Sequence, residues 1–490
     1  MSDTDLPQEL AQRRSIFRST WMLFLIGLGI VAVLYGSVTI HYTSLFAGAN
    51  YGYYLSRIDG IAAGIFDAQF PVRIYPNMNA GFGYGAGFFS PDFMLYPSAM
   101  LRVIGWRLSN FANPITVPFA YNMTIFVSML MLFSTTFFAA FRLTRRAVAG
   151  AIAGVAVCVM PWTMHAIFER AALNEVLAMI WIPLVIVGVY DILTNKMRRP
   201  WPYVIGLWAL MFSHLPTAIV TLLTVAIVLV VRAKTLRATP HLTRRVLLFT
   251  LLATTLSAAF WVPMLEMLFS ARFTFETTPL LWLGFALPLL TIASVLAALA
   301  LGWLVTRTLA FLVAPVALIL GIITFQVIFA FINPTFISHE RWEPTYTPPR
   351  YESLARDDAW NPLGTQFEQL RQMPGNEVQV SDGRTIHAIR EGTTVQFEHR
   401  PMDTEITFTV PLVYYKGYGV RVDEYDGRYT NLTAHASANQ NLVEVTVPAG
   451  LGGSFNVRYD GTVLQRIGFY LTVISFIFSV FLFFYLRNEH

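Results

Sequence analysis

Charged residues are scarce in this 490-residue chain. Asp, Glu, Lys and Arg make up 13% of it, whereas soluble domains contain about a quarter. Hydrophobic residues reach 55% and the mean hydropathy is +0.53. Because a soluble protein of this length needs more charged residues on its surface, the composition excludes a soluble enzyme. It equally excludes a disordered chain, and it indicates a polytopic membrane protein.

Cysteine and lysine are also rare. The single cysteine, Cys158, lies in an apolar run, which excludes a disulfide framework and a cysteine-based zinc site. The net charge of +5 comes almost entirely from arginines, which are neither clustered on one helix nor interleaved with exposed aromatic residues. The sequence therefore predicts no nucleic-acid partner. The first apolar run, 20–42, is too long for the apolar region of a cleaved signal peptide.

Long apolar runs account for the hydrophobicity. Because a helix needs about twenty apolar residues to cross a bilayer, the sequence predicts about ten membrane spans. They are 20–41, 116–141, 147–164, 175–193, 201–215, 217–231, 246–266, 279–303, 308–331 and 466–486. The segment 93–108 contains Arg102 and Arg107 and predicts an amphipathic helix on the outer surface instead of a further span.

Positive charge is distributed unevenly among the loops. With the N-terminus in the cytoplasm, the following residues fall on the inner side: Arg13, Arg14, Arg18, Arg142, Arg145, Arg146, Lys196, Arg198, Arg199, Arg232, Lys234, Arg237, Arg244, Arg245, Arg307 and Arg487. The short outer loops carry only Arg170 and Arg272. This satisfies the positive-inside rule and predicts that both termini lie inside a cell membrane, which we expect to be bacterial.

Two long segments fall on the predicted outer side. The first is a loop, 42–115, within a helical bundle that covers 1–332. The second, 333–464, precedes a final span and short tail at 465–490. It alternates apolar and polar residues, as in 406–412, which is typical of half-buried strands. It therefore predicts an extracytoplasmic β-sandwich domain ahead of the last span.

Ionisable side chains beside apolar helices are costly and usually functional. Most of them here lie at the outer ends of the predicted spans: Asp59, Glu169, Arg170, Glu175, His214, Glu266 and Arg272. We therefore expect a site at the outer membrane surface. Each of these residues, taken singly, could equally be an ordinary loop residue.

The first outer loop combines a helical pattern with a glycine-rich aromatic run. Apolar spacing over 51–66 predicts a short surface helix that carries Tyr54, Arg57 and Asp59. The following run, 81–91, is rich in Gly, Tyr and Phe. Such a run suits an aromatic belt at the membrane interface as well as a surface that binds sugar or lipid.

These motifs resemble the first outer loop of YfhO-type membrane proteins, a group that overlaps the 6-pyruvoyl-tetrahydropterin synthase-related membrane proteins. The matching segments are 54–60, 70–74, the glycine-rich run, 170–175, 213–214 and 411–418. They extend over both the predicted bundle and the predicted outer domain.

The resemblance implies a GT-C type glycosyltransferase with a GT-C-like bundle. Such enzymes move a sugar from a polyprenyl-phosphate carrier, usually with inversion, to an extracytoplasmic glycan, teichoic-acid or glycolipid acceptor. They carry an acidic residue in the first outer loop, often beside a second one. Here Asp59 is followed by Gly60, which leaves open whether a divalent cation such as Mg²⁺ or Mn²⁺ is a cofactor.

The residues themselves suggest the same chemistry. An acceptor hydroxyl that attacks an anomeric carbon must lose its proton, and Asp59 is the candidate catalytic base. A phosphate leaving group needs cations, for which Arg suits better than Lys. The candidates are Arg57, Arg170 and Arg272. Residues that would bind substrate or orient these arginines are Glu169, Glu175, Glu266, His214 and Tyr54; His214 could instead simply bond a helix end.

Two other functions remain open. A transporter or flippase of a lipid-linked glycan would need polar groups at mid-membrane depth, broken helices and repeat symmetry, and the sequence has no internal repeat. A non-catalytic cell-envelope assembly protein would use its β domain to bind a polymer or a partner, and would not need Asp59.

Overall fold

A computed structural model describes residues 5–39, 44–46, 50–108, 115–194, 200–274, 283–307, 336–338 and 360–488. Contacts divide the chain into two compact units, each built from three separate segments. The first unit comprises Met1–Tyr51, Pro118–Thr254 and Leu280–Glu343, and the second comprises Gly52–Val117, Thr255–Pro279 and Pro344–His490. The predicted first loop and the predicted C-terminal β domain thus belong to one unit.

Most of the described chain is helical. In chain order the helices are α1 (Asp5–Thr39), α2 (Tyr51–Phe66), α3 (Ala86–Phe89), α4 (Tyr96–Leu108), α5 (Val117–Thr144), α6 (Ala147–Val159), α7 (Pro161–Met164), α8 (Leu173–Met179), α9 (Ile182–Leu193), α10 (Trp201–Met211), α11 (Leu215–Val231), α12 (Ala233–Ala238), α13 (Pro240–Leu256), α14 (Ala258–Ser270), α15 (Leu283–Leu304), α16 (Phe367–Gln372) and α17 (Val463–Asn488). A 3₁₀ turn covers Asp92–Leu95 and a π-helical turn covers His165–Glu169.

Five helical segments of the described chain are long and apolar enough to cross a membrane. They are Arg18–Thr39, Val117–Thr144, Leu173–Leu193, Leu287–Leu304 and Val463–Tyr485. Two bent pairs raise the number to seven if each is one span: Ala147–Val159 with Pro161–Glu169, bent by 42°, and Pro240–Leu256 with Ala258–Ser270, bent by 68°. The prediction of a mostly helical protein with several apolar spans is confirmed.

The predicted count of about ten spans is not confirmed. The predicted spans 201–215 and 217–231 are the helices α10 and α11, of 11 and 17 residues. At about 1.5 Å per residue, α10 covers roughly half of a ~30 Å hydrocarbon core. The predicted span 308–331 lies outside the described residues.

Proline explains one of the two bends. Met160, between α6 and α7, has an extended backbone with ψ 139°. Pro161 follows it, and the proline ring disfavours helical geometry in the preceding residue. Pro161 then occupies the first position of α7, where its missing N–H costs no hydrogen bond.

Small residues permit close helix packing in the first unit. A side chain at Gly154 of α6 would clash with Phe133 of α5, at 2.7 Å from its ring. A side chain at Gly302 of α15 would lie 2.6 Å from the carbonyl oxygen of Ala149 in α6. Glycines at both positions let the helices approach closely, as is common between membrane helices.

The second unit contains an antiparallel β domain. In chain order the strands of the protein are β1 (Ser44–Phe46), β2 (Phe336–Ser338), β3 (Glu377–Val380), β4 (Thr385–His387), β5 (Ile389–Glu391), β6 (Thr394–His399), β7 (Ile406–Val413), β8 (Tyr418–Glu424), β9 (Tyr429–Ala436), β10 (Leu442–Val447) and β11 (Gly453–Tyr459). Strands β1 and β2 pair with each other in the first unit.

The other nine described strands form one sheet in the order β4-β3-β7-β10-β9-β8-β11-β6-β5. Its two edge strands, β4 and β5, are separated in the chain by Ala388 alone, so the sheet curls until it is nearly closed. The prediction of an antiparallel β domain ahead of the last apolar helix is confirmed. Its arrangement as a sandwich of two separate sheets is not confirmed, because β9 pairs with β8 through Tyr429–Thr433 and with β10 through Ala434–Ala436 and so joins the two halves.

The core of the β domain includes aromatic residues from the first loop. Within the barrel-like sheet, the rings of Phe397 and Phe455 stack at 5.0 Å. Phe82, Phe88 and Phe89 of the glycine-rich run join the same buried cluster, and the backbone of Phe82 accepts a hydrogen bond from Val413 at 2.8 Å. The run is therefore a packing element of the second unit and not an exposed aromatic belt or binding surface.

Candidate functional site

Helix α2 carries Asp59 and is covered by the loop that follows it. Two glycines on α2 make this contact possible. A side chain at Gly60 would lie 2.7 Å from the Tyr75 ring, and one at Gly64 would lie 2.2 Å from Val72. The loop thus packs directly on the helix backbone, and this packing buries the middle of α2.

Asp59 is a buried carboxylate with two polar partners. Arg102 of α4 donates to Oδ1 at 2.6 Å, and Asn77 donates to Oδ2 at 2.7 Å. Burial raises the pKa of Asp59 above its ordinary value, while the charge of Arg102 and the hydrogen bonds of Arg102 and Asn77 act in the opposite direction. A carboxylate oxygen can accept two hydrogen bonds, so each oxygen retains capacity for another donor.

Arg57 points to a different carboxylate from the same helix. Its guanidinium lies 3.2 Å from Asp92, donates to Ser90 at 2.6 Å and stacks over the Tyr53 ring at 4.4 Å. The Tyr75 hydroxyl also donates to Asp92. Arg57 is 1% exposed, so it anchors α2 to the segment after α3. It does not present an open phosphate site.

The partner of Asp59 was not identified by the sequence pattern. Arg102 was assigned to a helix on the outer surface, yet it is 3% exposed and also donates to the Ile115 carbonyl at 2.8 Å. A signal for its burial exists in the sequence. Ser98, Ala99 and Gly105 share its helical face and are buried with it, and small residues on one face are typical of close packing.

Arg73 is a third buried guanidinium of the second unit. It donates to the carbonyl oxygens of Gly87, at 3.2 Å, and of Ala259. Pro263 lies four residues after Ala259 inside α14 and has no N–H, so the Ala259 carbonyl lacks its helical donor. Arg73 supplies that donor. Burial lowers the pKa of Arg73.

Glu266 and Arg272 lie at the C-terminal end of α14. Glu266 accepts a hydrogen bond from Thr462 at 2.5 Å and pairs with Lys416 at 3.2 Å, so it joins α14 to the β domain and to the start of α17. Arg272 is exposed, and its backbone accepts a hydrogen bond from Leu363 at 2.9 Å.

The first unit contains a separate polar cluster around Glu175. Arg170 donates to Glu175 at 2.7 Å, Trp162 donates to the other carboxylate oxygen at 3.1 Å, and Thr291 donates to that same oxygen. Glu175 is 1% exposed. Arg170 Nη1 is buried and has no hydrogen-bond partner among the described residues, so one donor remains available.

The other predicted residues of the first unit bond locally. Exposed Glu169 pairs with His165 on the π-helical turn, at 2.5 Å. His214 precedes α11, and its ring contacts the hydroxyl of Thr217 in the first turn at 2.8 Å. This contact is made to a side chain and not to the backbone of the helix end.

The predicted site residues are divided between the two units. The second unit holds Tyr54, Arg57, Asp59, Glu266 and Arg272, and the first holds Glu169, Arg170, Glu175 and His214. Tyr54 is buried and its ring meets that of Tyr53 edge to face. In the described chain no three or more His, Cys, Asp or Glu side chains are grouped as metal ligands.

Comparison with known proteins assigns the chain to no family. No family model matches the sequence, and no curated protein matches it. The YfhO-type resemblance therefore remains a proposal.

Proposed function

We propose that the protein is an integral membrane glycosyltransferase of the GT-C type. It would move a sugar from a polyprenyl-phosphate carrier to a glycan or lipid acceptor on the extracytoplasmic side. The observation that supports this most is Asp59, a buried carboxylate on the short helix α2. The proposal agrees with the YfhO-type resemblance of the same loop.

Burial and access together suit Asp59 to act as a base. Its side chain is 10% exposed, so the carboxylate is largely removed from water but not fully enclosed. Removal from water raises the pKa of Asp59 and makes the carboxylate a stronger base than an exposed one. Arg102 and Asn77 hold it in one orientation, which a base needs for transfer to a positioned hydroxyl.

The reaction would proceed by inversion at the anomeric carbon. The acceptor oxygen forms a bond to that carbon while its proton moves to Asp59, and the bond to the carrier phosphate breaks. The polyprenyl phosphate leaves with the electron pair and needs a cation or a hydrogen-bond donor. Exposed Arg272, which belongs to the same unit as Asp59, suits that role, whereas Arg57 is already paired with Asp92.

Substitution of the base tests the proposal. We expect Asp59→Asn to lower the initial rate of sugar transfer from a polyprenyl-phospho-sugar by a factor of about 10² to 10⁴, the usual contribution of a general base. Asp92→Asn is the matched control, because Asp92 is a similarly buried carboxylate that bonds Arg57, Ser90 and Tyr75. A folded Asp59→Asn protein with the parent rate would refute the base assignment.

A second function, a transporter of a lipid-linked glycan, is favoured by one observation. Two apolar helix pairs are broken, by 42° and 68°, and transporters often bind substrate at broken helices. The buried Arg170–Glu175 pair follows the first break. If this function is correct, Glu175→Gln would slow lipid-linked glycan movement across vesicles, and no sugar transfer would occur.

A further inference from the structure

Two neighbouring cavities of the second unit are both lined mostly by apolar surface. One, of about 370 Å³, is lined by residues that include Met267, Phe273, Tyr414, Tyr415 and Asn441. The other, of about 340 Å³, is a groove along α14 and the start of α17, lined mainly by apolar side chains. Both volumes lie at the lower end of the range for small-molecule sites.

The two cavities share Ser270 and Lys416. These two residues therefore lie where the two cavities adjoin. The groove includes Trp261, Leu265 and Phe269, and Phe269 is 88% exposed. An apolar groove beside the half-exposed ammonium group of Lys416 suits an amphiphile that has an anionic head and a hydrocarbon chain.

The groove lies on helices suited to a membrane. Helix α17 belongs to the apolar segments that can cross one, and α14 belongs to a bent apolar pair. The end of α14 meets the beginning of α17, because Glu266 bonds Thr462 at 2.5 Å. This is the level at which both helices would enter the bilayer surface, and hence the level of lipid headgroups.

Positive charge is in excess at this level. The buried Glu266 carboxylate is matched by Lys416, and Arg458 pairs with Asp460 at 2.7 Å. Arg272 and Arg466 are exposed in addition, and neither has a carboxylate partner among the described residues. An excess of cations at a membrane surface attracts anionic lipids.

Lys416 has the chemistry to contact a phosphate in this position. Its ammonium group has three N–H donors, of which Glu266 takes one, and its side chain is 50% exposed. Glu266 also keeps the hydrogen bond from Thr462, so a phosphate can approach Lys416 without leaving the buried carboxylate unpaired. Lys416 contributes to the lining of both cavities, and its apolar stem can pack against a hydrocarbon chain while its ammonium group stays in water.

We propose that Lys416 and Ser270 mark a binding site for an anionic bilayer phospholipid. The acyl chain lies along α14 between Trp261 and Phe269, the phosphate contacts Lys416, and the rest of the headgroup enters the cavity beside Tyr414 and Asn441. This site does not depend on the proposed glycosyltransferase activity, because Lys416 and Ser270, the two residues that mark it, have no assigned part in sugar transfer.

Lipid binding to the full-length, delipidated protein tests the site. Phosphatidylglycerol and phosphatidylcholine with identical acyl chains are titrated, and the bound lipid is counted by native mass spectrometry. We expect tighter binding of phosphatidylglycerol. Lys416→Gln should weaken it about fivefold while leaving phosphatidylcholine unchanged, Lys416→Arg should preserve it, and Lys234→Gln is the matched lysine control.

A second variant keeps the test decisive if Lys416→Gln fails to fold. Ser270→Trp places a bulky side chain where the two cavities adjoin and leaves both members of the Lys416–Glu266 pair in place. It should weaken binding of both lipids. Equal affinity of the parent for the two lipids would overturn the proposal. So would displacement of phosphatidylglycerol by inorganic phosphate alone, or stronger binding of a polyprenyl phosphate at the same Lys416-dependent site.

Discussion

Asp59 and Arg102 form a buried ion pair. Burial and the charge of Arg102 shift the pKa of Asp59 in opposite directions. Burial favours the neutral acid, whereas the guanidinium 2.6 Å away favours the carboxylate. Burial dominates, so the folded-state pKa of Asp59 lies above the ordinary value of 3.8. The contribution of Asp59 to stability is therefore present below that ordinary value and is lost as the pH rises through the folded-state pKa.

Replacing Arg102 shifts the pH dependence in a defined direction. Arg102→Gln removes the charge that lowers the pKa of Asp59, so the acidic limb of the transfer rate against pH should move to higher pH. The free energy of unfolding at neutral pH should fall by about 3 kcal/mol, because a buried carboxylate loses its cation. A pH profile of the initial rate measures the first effect, and a denaturant titration measures the second.

The acidic limb of the transfer rate against pH has a direct control. Asp59→Asn should remove it altogether, leaving a low rate that is flat in that pH range. An unchanged limb in Arg102→Gln would mean that another group controls the rate.

The sequence predicts the position of Asp59 but not its partner. Residues 51–66 were expected to form a helix with Asp59 near the middle, and α2 has those bounds. Arg57 was expected nearby as a functional cation, yet residues two apart on a helix face different sides. Arg57 accordingly pairs with Asp92, and Asp59 with Arg102, which is 43 residues away in the chain. Helical periodicity carries no information on such a distant contact.

At the scale of single elements, Gly60 connects the packing of α2 to the site. Gly60→Ala would drive a methyl group into Tyr75, which in turn holds Asp92. We expect a loss of about 1–3 kcal/mol in the free energy of unfolding, together with a slower transfer rate. Thermal unfolding of the protein in detergent measures the loss of stability.

Gly29 provides the matched control for this substitution. It is also a helical glycine, in α1, but an added side chain meets nothing within 4 Å. Gly29→Ala should therefore be neutral or slightly stabilising, as expected for alanine in a helix. Equal unfolding temperatures for the two variants would contradict the close packing of Tyr75 on α2.

The bond between Arg73 and helix α14 can be isolated by a double-mutant cycle. Arg73→Met should cost about 2 kcal/mol, because the Ala259 and Gly87 carbonyls lose their donor. In a Pro263→Ala background, the new N–H of residue 263 can satisfy the Ala259 carbonyl. The cost of Arg73→Met should then fall by about 1 kcal/mol. Identical costs in the two backgrounds would show that Arg73 does not replace the donor lost at Pro263.

Elements with strong local signals were predicted, and those that depend on distant contacts were not. The alternation around 406–412 predicted β7, and the apolar run at 466–486 predicted α17. Helices α10 and α11 were counted as spans from hydropathy alone, although the break at Ser213-His214 leaves α10 at 11 residues. Hydropathy identifies apolar segments well but does not fix the length of each helix.

At the scale of the molecule, the second unit is assembled from three distant segments. The aromatic side chains of 82–89 complete the core of strands that lie about 300 residues later in the chain. The nearly closed sheet likewise depends on β9, which pairs on both sides. Neither feature leaves a local pattern, so the sequence predicted the strands but assigned them to a separate sandwich.

The central claim is that the protein transfers sugar at a membrane instead of carrying the lipid-linked glycan across it. The most direct measurement uses proteoliposomes that contain the parent protein or Asp59→Asn, a fluorescent polyprenyl-phospho-sugar and an acceptor. Transfer to the acceptor and movement of the labelled lipid between leaflets are recorded together. Our account predicts Asp59-dependent transfer without accelerated movement. Movement without transfer, equal in both proteins, would contradict it.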